Sequence, residues 1–160
     1  MDDVGGGAIP DVPANAHRLG DLEFIRSLAL SFCAGLDQEN VSLLKSVFWP
    51  DATDDHGTLF QGLAWDFAEY VVTQRERVRP TLHTVTNHHV SFDASDQDSA
   101  TGLVYGVGYQ FAHALPTRRT RIVVGWYEDV YRRRSGEWKI QNRRFVLVGT
   151  MTERKLQDKS

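Results

Sequence analysis

Residues 103–111, LVYGVGYQF, alternate between large and smaller side chains at every second position. An alternation of period two indicates a β-strand whose two faces differ. The bulky face carries Leu103, Tyr105, Val107, Tyr109 and Phe111, and the other face carries Val104, Gly106, Gly108 and Gln110. The stretch therefore predicts a long strand with one crowded face and one open face.

Further strands are predicted on both sides of this stretch. They are residues 52–57, 82–93, 120–132 and 137–148. Arg134-Ser135-Gly136 and Leu115-Pro116-Thr117 have the composition of tight turns between neighbouring strands. The second half of the chain thus predicts an antiparallel meander.

The first third of the chain has the period of helices instead. One apolar stripe at helical spacing runs through Leu22, Ile25, Leu28, Ala29, Phe32, Cys33 and Leu36. We expect Asp21 to be the N-cap of this helix, a second helix at 40–48, and a third between Gly62 and Pro80. Helices followed by long, curling strands predict an α+β fold. We expect a cone-shaped α+β barrel, with three N-terminal helices packed on a curved, mostly antiparallel sheet around a pocket.

Composition excludes several classes of protein. The 160 residues are 41% hydrophobic, enough for one packed core, and the net charge of −3 provides no positive field for a nucleic acid. The single cysteine, Cys33, excludes an internal disulfide framework, and no apolar run is long enough to cross a membrane. We expect one domain at 17–150 in a cytoplasmic protein, between a flexible arm at 1–16 and a flexible tail at 151–160.

Two residues are candidates for chemistry. Asp37 lies four residues after Cys33 and so continues the apolar stripe of the first helix, where a charged side chain needs a partner. It either meets such a partner or caps the helix that follows. His83 opens the strand after Pro80, and histidine is the side chain best suited to proton transfer near neutral pH. An aspartate bonded to one ring nitrogen would leave the other as a base, although a lone strand histidine is more often structural.

A metal site and a nucleophile are not expected. Strand alternation would place His83 and His88 on opposite faces, while His83 and His89 would be roughly 20 Å apart at ~3.3 Å per residue. His56 and His113 complete no metal-binding motif with them. Cys33 lies on an apolar stripe, where thiols are usually inert. We therefore predict no metal site.

The order of several motifs resembles a known family. These are Gly35-Leu36-Asp37, Phe48-Trp49-Pro50-Asp51-Ala52, Gly57-x-x-Phe60-x-Gly62, His83-x-x-x-Asn87, Tyr127-x-Asp129-x-Tyr131 and Gly136-x-Trp138-Lys139-Ile140. Over about residues 18–150 the chain is similar to the SnoaL-like branch of the nuclear transport factor 2-like superfamily. That branch includes scytalone dehydratase, hexachlorocyclohexane dehydrochlorinase and bile acid 7α-dehydratase. The resemblance implies a cone with a hydrophobic pocket, commonly a dimer or trimer, and an Asp–His pair at Asp37 and His83.

The resemblance also suggests where the rest of the pocket lies. Several relatives have a tyrosine near the end of the first helix, where this chain has Phe32, and an assisting arginine or asparagine that has no clear match. The nearest candidates are Asn142 and Arg144, which share strand parity with Trp138 and Ile140. Assistance could instead come from Tyr109, Asp55 or His56, although Asp-His-Gly is also ordinary turn chemistry. The expected apolar walls are Phe32, Trp49, Trp65, Tyr109 and Trp126.

These observations predict a cofactor-independent, dehydratase-like lyase. Its substrate would be a hydrophobic small molecule such as a steroid, a polyketide or an aromatic or alicyclic compound. One alternative is an isomerase or polyketide-type cyclase that uses the same pair. Another is a non-catalytic ligand-binding module or oxygenase small subunit, in which Asp37 and His83 would not touch. Residues 120–131 are apolar on both strand faces, so we expect a homodimer or homotrimer.

Overall fold

The computed structural model of the chain describes residues 16–73, 80–111 and 120–152. The helices are α1 (Ala16–Asp37), α2 (Val41–Ser46) and α3 (Ala64–Thr73). The strands are β1 (Phe48–Asp55), β2 (Gln61–Leu63), β3 (Thr81–Phe92), β4 (Ser99–Phe111), β5 (Thr120–Arg134) and β6 (Glu137–Thr152). None of the described helices is long and apolar enough to cross a membrane.

One curved, unclosed sheet contains all six strands, in the order β2-β1-β6-β5-β4-β3. Every neighbouring pair is antiparallel except β1 and β6, which are parallel. The β5–β6 hairpin turns at Ser135 and Gly136, whose φ angles of 51° and 84° suit a tight hairpin turn. The predicted α+β cone and this turn are confirmed. The turn expected at 115–117 lies outside the described residues.

Helix α1 packs its apolar stripe against the concave face of the sheet. Ile25, Leu28, Ala29, Phe32 and Leu36 of the stripe are all buried. The helix begins at Ala16, so the expectation that Asp21 is its N-cap is wrong; residues 16–20 extend the helix by more than a turn. The Asp21 carboxylate instead lies 3.2 Å from Arg133 Nη1. The predicted arm and tail lie outside the described residues, apart from Ala16 in α1 and Met151 and Thr152 in β6.

The concave face of β4 is the one with small side chains. A Cβ atom at Gly102 would lie 2.8 Å from the Tyr131 ring, and one at Gly108 would lie 3.1 Å from the His83 ring. These two glycines therefore provide the space that larger inward-facing side chains on β3 and β5 occupy. The bulky side chains of β4, including Tyr105 and Tyr109, lie on the convex face.

Register shifts on β3 and β6 change which side chains face inward. On β3, Val85 pairs with Gly106 but His88 pairs with Val104, so β3 carries one extra residue. A single-residue bulge reverses the alternation of the residues after it. His88 consequently faces the interior with His83, and the expectation that they face opposite sides is wrong. A shift of the same size separates Ile140 from Asn142 on β6.

Candidate active site

A cavity of about 570 Å³ lies between the helices and the concave face of the sheet. Helix α1 contributes Phe32, Cys33 and Leu36 to its wall, and α3 contributes Phe67, Tyr70 and Val71. The sheet contributes apolar side chains such as Val104, Val123 and Phe145, together with His56, His83 and Tyr127. A cavity of this size with a mainly apolar wall and few polar groups suits a hydrophobic small molecule.

Asp37 and His83 meet at the edge of this cavity. His83 Nδ1 lies 2.6 Å from Asp37 Oδ1, which is the contact expected from the sequence. The His83 backbone N–H donates to Asp37 Oδ2 at 2.8 Å, and the Thr81 hydroxyl donates to Oδ1 at 3.1 Å. The Asp37 carboxylate thus accepts from three groups on one strand.

The position of Asp37 in α1 explains why it needs these donors. Asp37 is the last residue of α1, where the negative end of the helix dipole disfavours a carboxylate. The three donors from β3 compensate for that cost. The capping alternative does not apply, because Asn40 is the N-cap of α2 and its Oδ1 accepts from Leu43 N at 3.0 Å.

A second Asp–His pair lies on β1 and the residue after it. His56 Nδ1 is 2.6 Å from Asp54 Oδ1, and the His56 ring stacks on Phe67 with 4.3 Å between ring centroids. Asp54 is buried, whereas Asp55 faces the other way. Asp55 Oδ1 accepts from Gly57 N at 2.7 Å, and the His56 carbonyl accepts from Leu59 N at 3.3 Å, so both residues take part in a turn. The His56 side chain nevertheless reaches the cavity.

A buried arginine crosses the floor of the core beside these pairs. Arg143 donates to both carboxylate oxygens of Asp129, at 2.8 and 2.7 Å, and its guanidinium lies between the rings of Phe32 and Tyr127. The Tyr131 hydroxyl donates to Asp129 Oδ2 at 2.8 Å. Asp129 therefore neutralises the Arg143 charge.

Burial shifts the pKa values of two groups on the cavity wall. It raises the pKa of the Cys33 thiol to about 11, which keeps the thiol protonated and a poor nucleophile at neutral pH. It also raises the pKa of Tyr127, so this phenol remains a hydrogen-bond donor. Within the described residues, no three His, Cys, Asp or Glu side chains converge as metal ligands would.

A comparison with protein families shows the family to which this chain is related. The SnoaL-like domain matches residues 17–144. The chain belongs to this family. The resemblance drawn from the sequence motifs is thereby confirmed, although no curated protein matches the chain significantly.

Solved structures of other proteins share the SnoaL-like fold of this chain. A type 2 hexachlorocyclohexane dehydrochlorinase superposes with a TM-score of 0.78 at 18% identity, over 87% of this chain and 93% of that one. The type 3 enzyme of Novosphingobium barchaimii gives 0.77 at 18% identity, over 87% and 94%. A putative scytalone dehydratase of Novosphingobium aromaticivorans gives 0.74 at 17% identity, over 86% and 90%.

Only some of the residues predicted from the sequence reach the cavity of this SnoaL-like domain. Phe32, His56 and His83 line it, and Asp37 supports His83. Asp55, Asn142 and Arg144 instead lie along a groove on the convex face. Alternation along β6 from Trp138 and Ile140 predicted that Asn142 and Arg144 would face the cavity. The β6 bulge after Ile140 reverses this alternation, so Arg143 faces the cavity instead.

The expected aromatic walls also lie elsewhere, apart from Phe32. The Trp49 indole donates to Arg132 O at 3.0 Å and the Trp65 indole to Lys45 O at 3.1 Å, so both anchor neighbouring elements. Trp126 packs against Tyr105 on the convex face, and Tyr109 stacks on Phe111. The face of β4 that carries the glycines points into the cavity, so the aromatic residues that alternate with these glycines lie outside it.

Three functional candidates were missing from the sequence-based set. Tyr127 and Arg143 face the cavity, and Asp54 holds His56. The Asp54-x-His56 spacing was a usable signal, because residues two apart on a strand share a face. Arg143 offered no such signal, since its direction depends on the bulge.

Proposed function

We propose that this protein is a cofactor-independent lyase that catalyses elimination from a hydrophobic small molecule. The observation that carries the proposal is the 2.6 Å contact between Asp37 and His83 at the wall of an apolar cavity. A histidine oriented by a carboxylate beside a substrate-sized cavity is a device for moving a proton.

The geometry supports a different proposed role for each member of the pair. An ionised carboxylate can only accept, so His83 Nδ1 carries the ring proton and Nε2 is the basic nitrogen. The His83 ring edge passes Gly108, where a Cβ atom would come within 3.2 Å of Nε2. Nε2 would remove a proton from a carbon next to an activating group such as a carbonyl. Asp37 would stabilise the imidazolium that forms, as a carboxylate does in other histidine-based sites.

The structural relatives agree with this chemistry. Two of them are named as dehydrochlorinases and one as a putative scytalone dehydratase, and both names describe eliminations. An isomerase or cyclase would begin with the same proton abstraction, and product analysis separates those outcomes. The non-catalytic alternative predicted that Asp37 and His83 would not touch, so their 2.6 Å contact supports the catalytic proposal over it.

A simple substrate pair tests the proton abstraction. The aldol of benzaldehyde and acetone and its O-acetyl ester are both small, hydrophobic ketones that give benzalacetone on elimination. Acetate departs without needing a proton, so the ester reports on the base alone. We expect wild type to release benzalacetone from the ester and His83→Ala to lose at least ~10² in kcat/KM.

The matched control for this experiment is His89→Ala. His89 is exposed and lines the groove on the convex face, away from the cavity. Its removal should leave turnover within about twofold of wild type. A folded His83→Ala protein retaining more than about a tenth of wild-type activity would contradict the role of His83.

A further inference from the structure

We propose that His56, held by Asp54, is a second catalytic residue that gives a proton to the departing group. From this we infer that the leaving group is a hydroxyl. The inference rests on the proposed role of His83 as the base. Its starting point is that two separate Asp–His pairs supply rings to one cavity, His83 from β3 and His56 from the end of β1.

The His56 ring is held as a catalytic group would be. Its plane is fixed by stacking on Phe67 at 4.3 Å and on Phe145 at 5.5 Å between ring centroids. Nδ1 is bound to Asp54, so Nε2 is the nitrogen left for a substrate, and it has no hydrogen-bond partner in the described part of the chain. His88 differs: its Nε2 lies 3.2 Å from the Tyr131 hydroxyl inside the core, as expected of a structural histidine.

The two carboxylates differ in how many donors they meet. Asp37 accepts from three groups, so its charge is stabilised even when His83 is neutral. Asp54 is 1% exposed, meets only His56, and its Oδ2 has no partner among the described residues. Ionised carboxylates buried in this way need a positive partner.

Arg143 makes no hydrogen bond to Asp54. It neighbours Asp54 across the β1–β6 pair, but its Nε and Nη2 atoms are bound to Asp129, and its Nη1 has no hydrogen-bond partner among the described residues. The side chain that does bond Asp54 is His56, and we infer that its protonated form supplies the positive charge. That form carries a proton on Nε2 as well as on Nδ1, and the Nε2 proton is the one available to a substrate.

Because the two carboxylates differ in this way, the two histidines transfer protons in opposite directions. His83 Nε2 takes the proton from carbon, and the C–H electron pair becomes the new double bond. As the C–O bond breaks, its electron pair stays on oxygen, which takes the Nε2 proton of His56 and departs as water. His83 ends protonated and His56 neutral, and exchange with solvent restores both. Chloride needs no such donor, whereas hydroxide is a much poorer leaving group and departs far faster when it is protonated.

The aldol and its acetate ester separate this proposal from the proposed function. Both share the carbon skeleton, and only the aldol must lose a hydroxyl group. We expect His56→Gln to lower kcat/KM for the aldol by at least ~10² and for the ester by less than about threefold. His83→Ala should impair both substrates, and His89→Gln should impair neither.

Each other outcome has a defined meaning. Equal losses on both substrates, or no loss on the aldol, would overturn the role of His56 while leaving His83 as the base. A wild-type protein that leaves both ketones intact would overturn the proposed function and this inference with it. Thermal unfolding of each variant shows whether a loss of turnover reflects a loss of fold.

A spectroscopic measurement tests Asp54 as the positioning residue without any substrate. In protein with nitrogen-labelled histidine, NMR at neutral pH should show both ring nitrogens of His56 protonated in wild type. Asp54→Asn should convert His56 to the neutral ring and reproduce the selective loss on the aldol. A neutral His56 in wild type would overturn its role as the acid.

Discussion

Replacing Asp37 with asparagine perturbs the His83 site while keeping the shape of the side chain. The carboxylate accepts three hydrogen bonds, from the Thr81 hydroxyl, the His83 backbone N–H and His83 Nδ1. An amide has one oxygen and one NH₂ group. If its oxygen keeps the backbone N–H of His83, its NH₂ faces Nδ1 and favours the tautomer with the proton on Nε2. His83 would then have lost its basic nitrogen.

The expected loss of stability follows from the same contacts. A hydrogen bond to a charged group contributes about 1.5–3 kcal/mol, and at least one is lost. Removing the charge from the carboxyl end of α1 returns about 0.3–1 kcal/mol. We therefore expect the free energy of unfolding to fall by about 1–2 kcal/mol, which for a chain of this size lowers Tm by about 2–8 °C.

Activity should fall much more than stability. With the acetate ester, Asp37→Asn should lose ~10²–10⁴ in kcat/KM, measured as benzalacetone release with circular dichroism as the folding control. Thr81→Val is the matched variant, because it removes one donor to Asp37 without altering the tautomer, and it should stay within about threefold. If Asp37→Asn kept more than a tenth of the activity, or if Thr81→Val lost as much, the tautomer argument would be refuted.

Three further predictions concern the cavity and the sheet. Burial raises the pKa of the Cys33 thiol to about 11, so iodoacetamide at pH 8 should alkylate it on the order of 10² more slowly than a free thiol. The alkylation rate should increase as the pH rises. Alkylation as fast as that of a free thiol, measured by mass spectrometry, would contradict this prediction. Gly108→Ala should push the His83 ring by a few tenths of an ångström and cost about tenfold in kcat/KM for the ester, with Tm unchanged; full activity would mean that the ring position is not critical. Light scattering should give a dimer or trimer that covers the exposed apolar residues of the sheet, and a constant monomer mass would contradict this. These residues include Leu82, Leu103, Tyr105 and Met151.

Periodicity predicted those parts of the molecule that depend on neighbours in sequence. The stripe from Ile25 to Leu36 is buried as expected, and its continuation at Asp37 points to His83. Helical spacing is a local property, so a residue's side of the helix can be counted from the sequence. The meeting of Asp37 with His83 at the start of β3 was implied by the resemblance to the SnoaL-like family, whose aspartate and histidine fall on these two positions.

Side-chain alternation counted along the sequence gave the wrong face where a strand contains a bulge. The extra residues on β3 before His88 and on β6 after Ile140 arise from register shifts between paired strands, which leave no local pattern in composition. Each bulge reverses the alternation of the residues that follow it, and on β6 a second shift between Leu147 and Gly149 reverses it again. This is why the sequence favoured Arg144 for the interior when the structure has Arg143 there. Which face of β4 points into the cavity could also not be read from its own sequence. It depends on the rings of Tyr131 and His83, which need the space beside Gly102 and Gly108.

The position of each Asp–His pair in the sheet explains why the pairs differ. β3 is an edge strand, so the backbone N–H of His83 is available to bond Asp37. β1 lies between β2 and β6 and is paired on both sides at Asp54, so its backbone offers that carboxylate no donor. Within the described residues, the group that bonds the Asp54 carboxylate is the His56 ring, two residues further along the chain. The order of the strands thus gives the two Asp–His pairs different surroundings, and this difference is what the proposed roles of His83 as the base and His56 as the acid require.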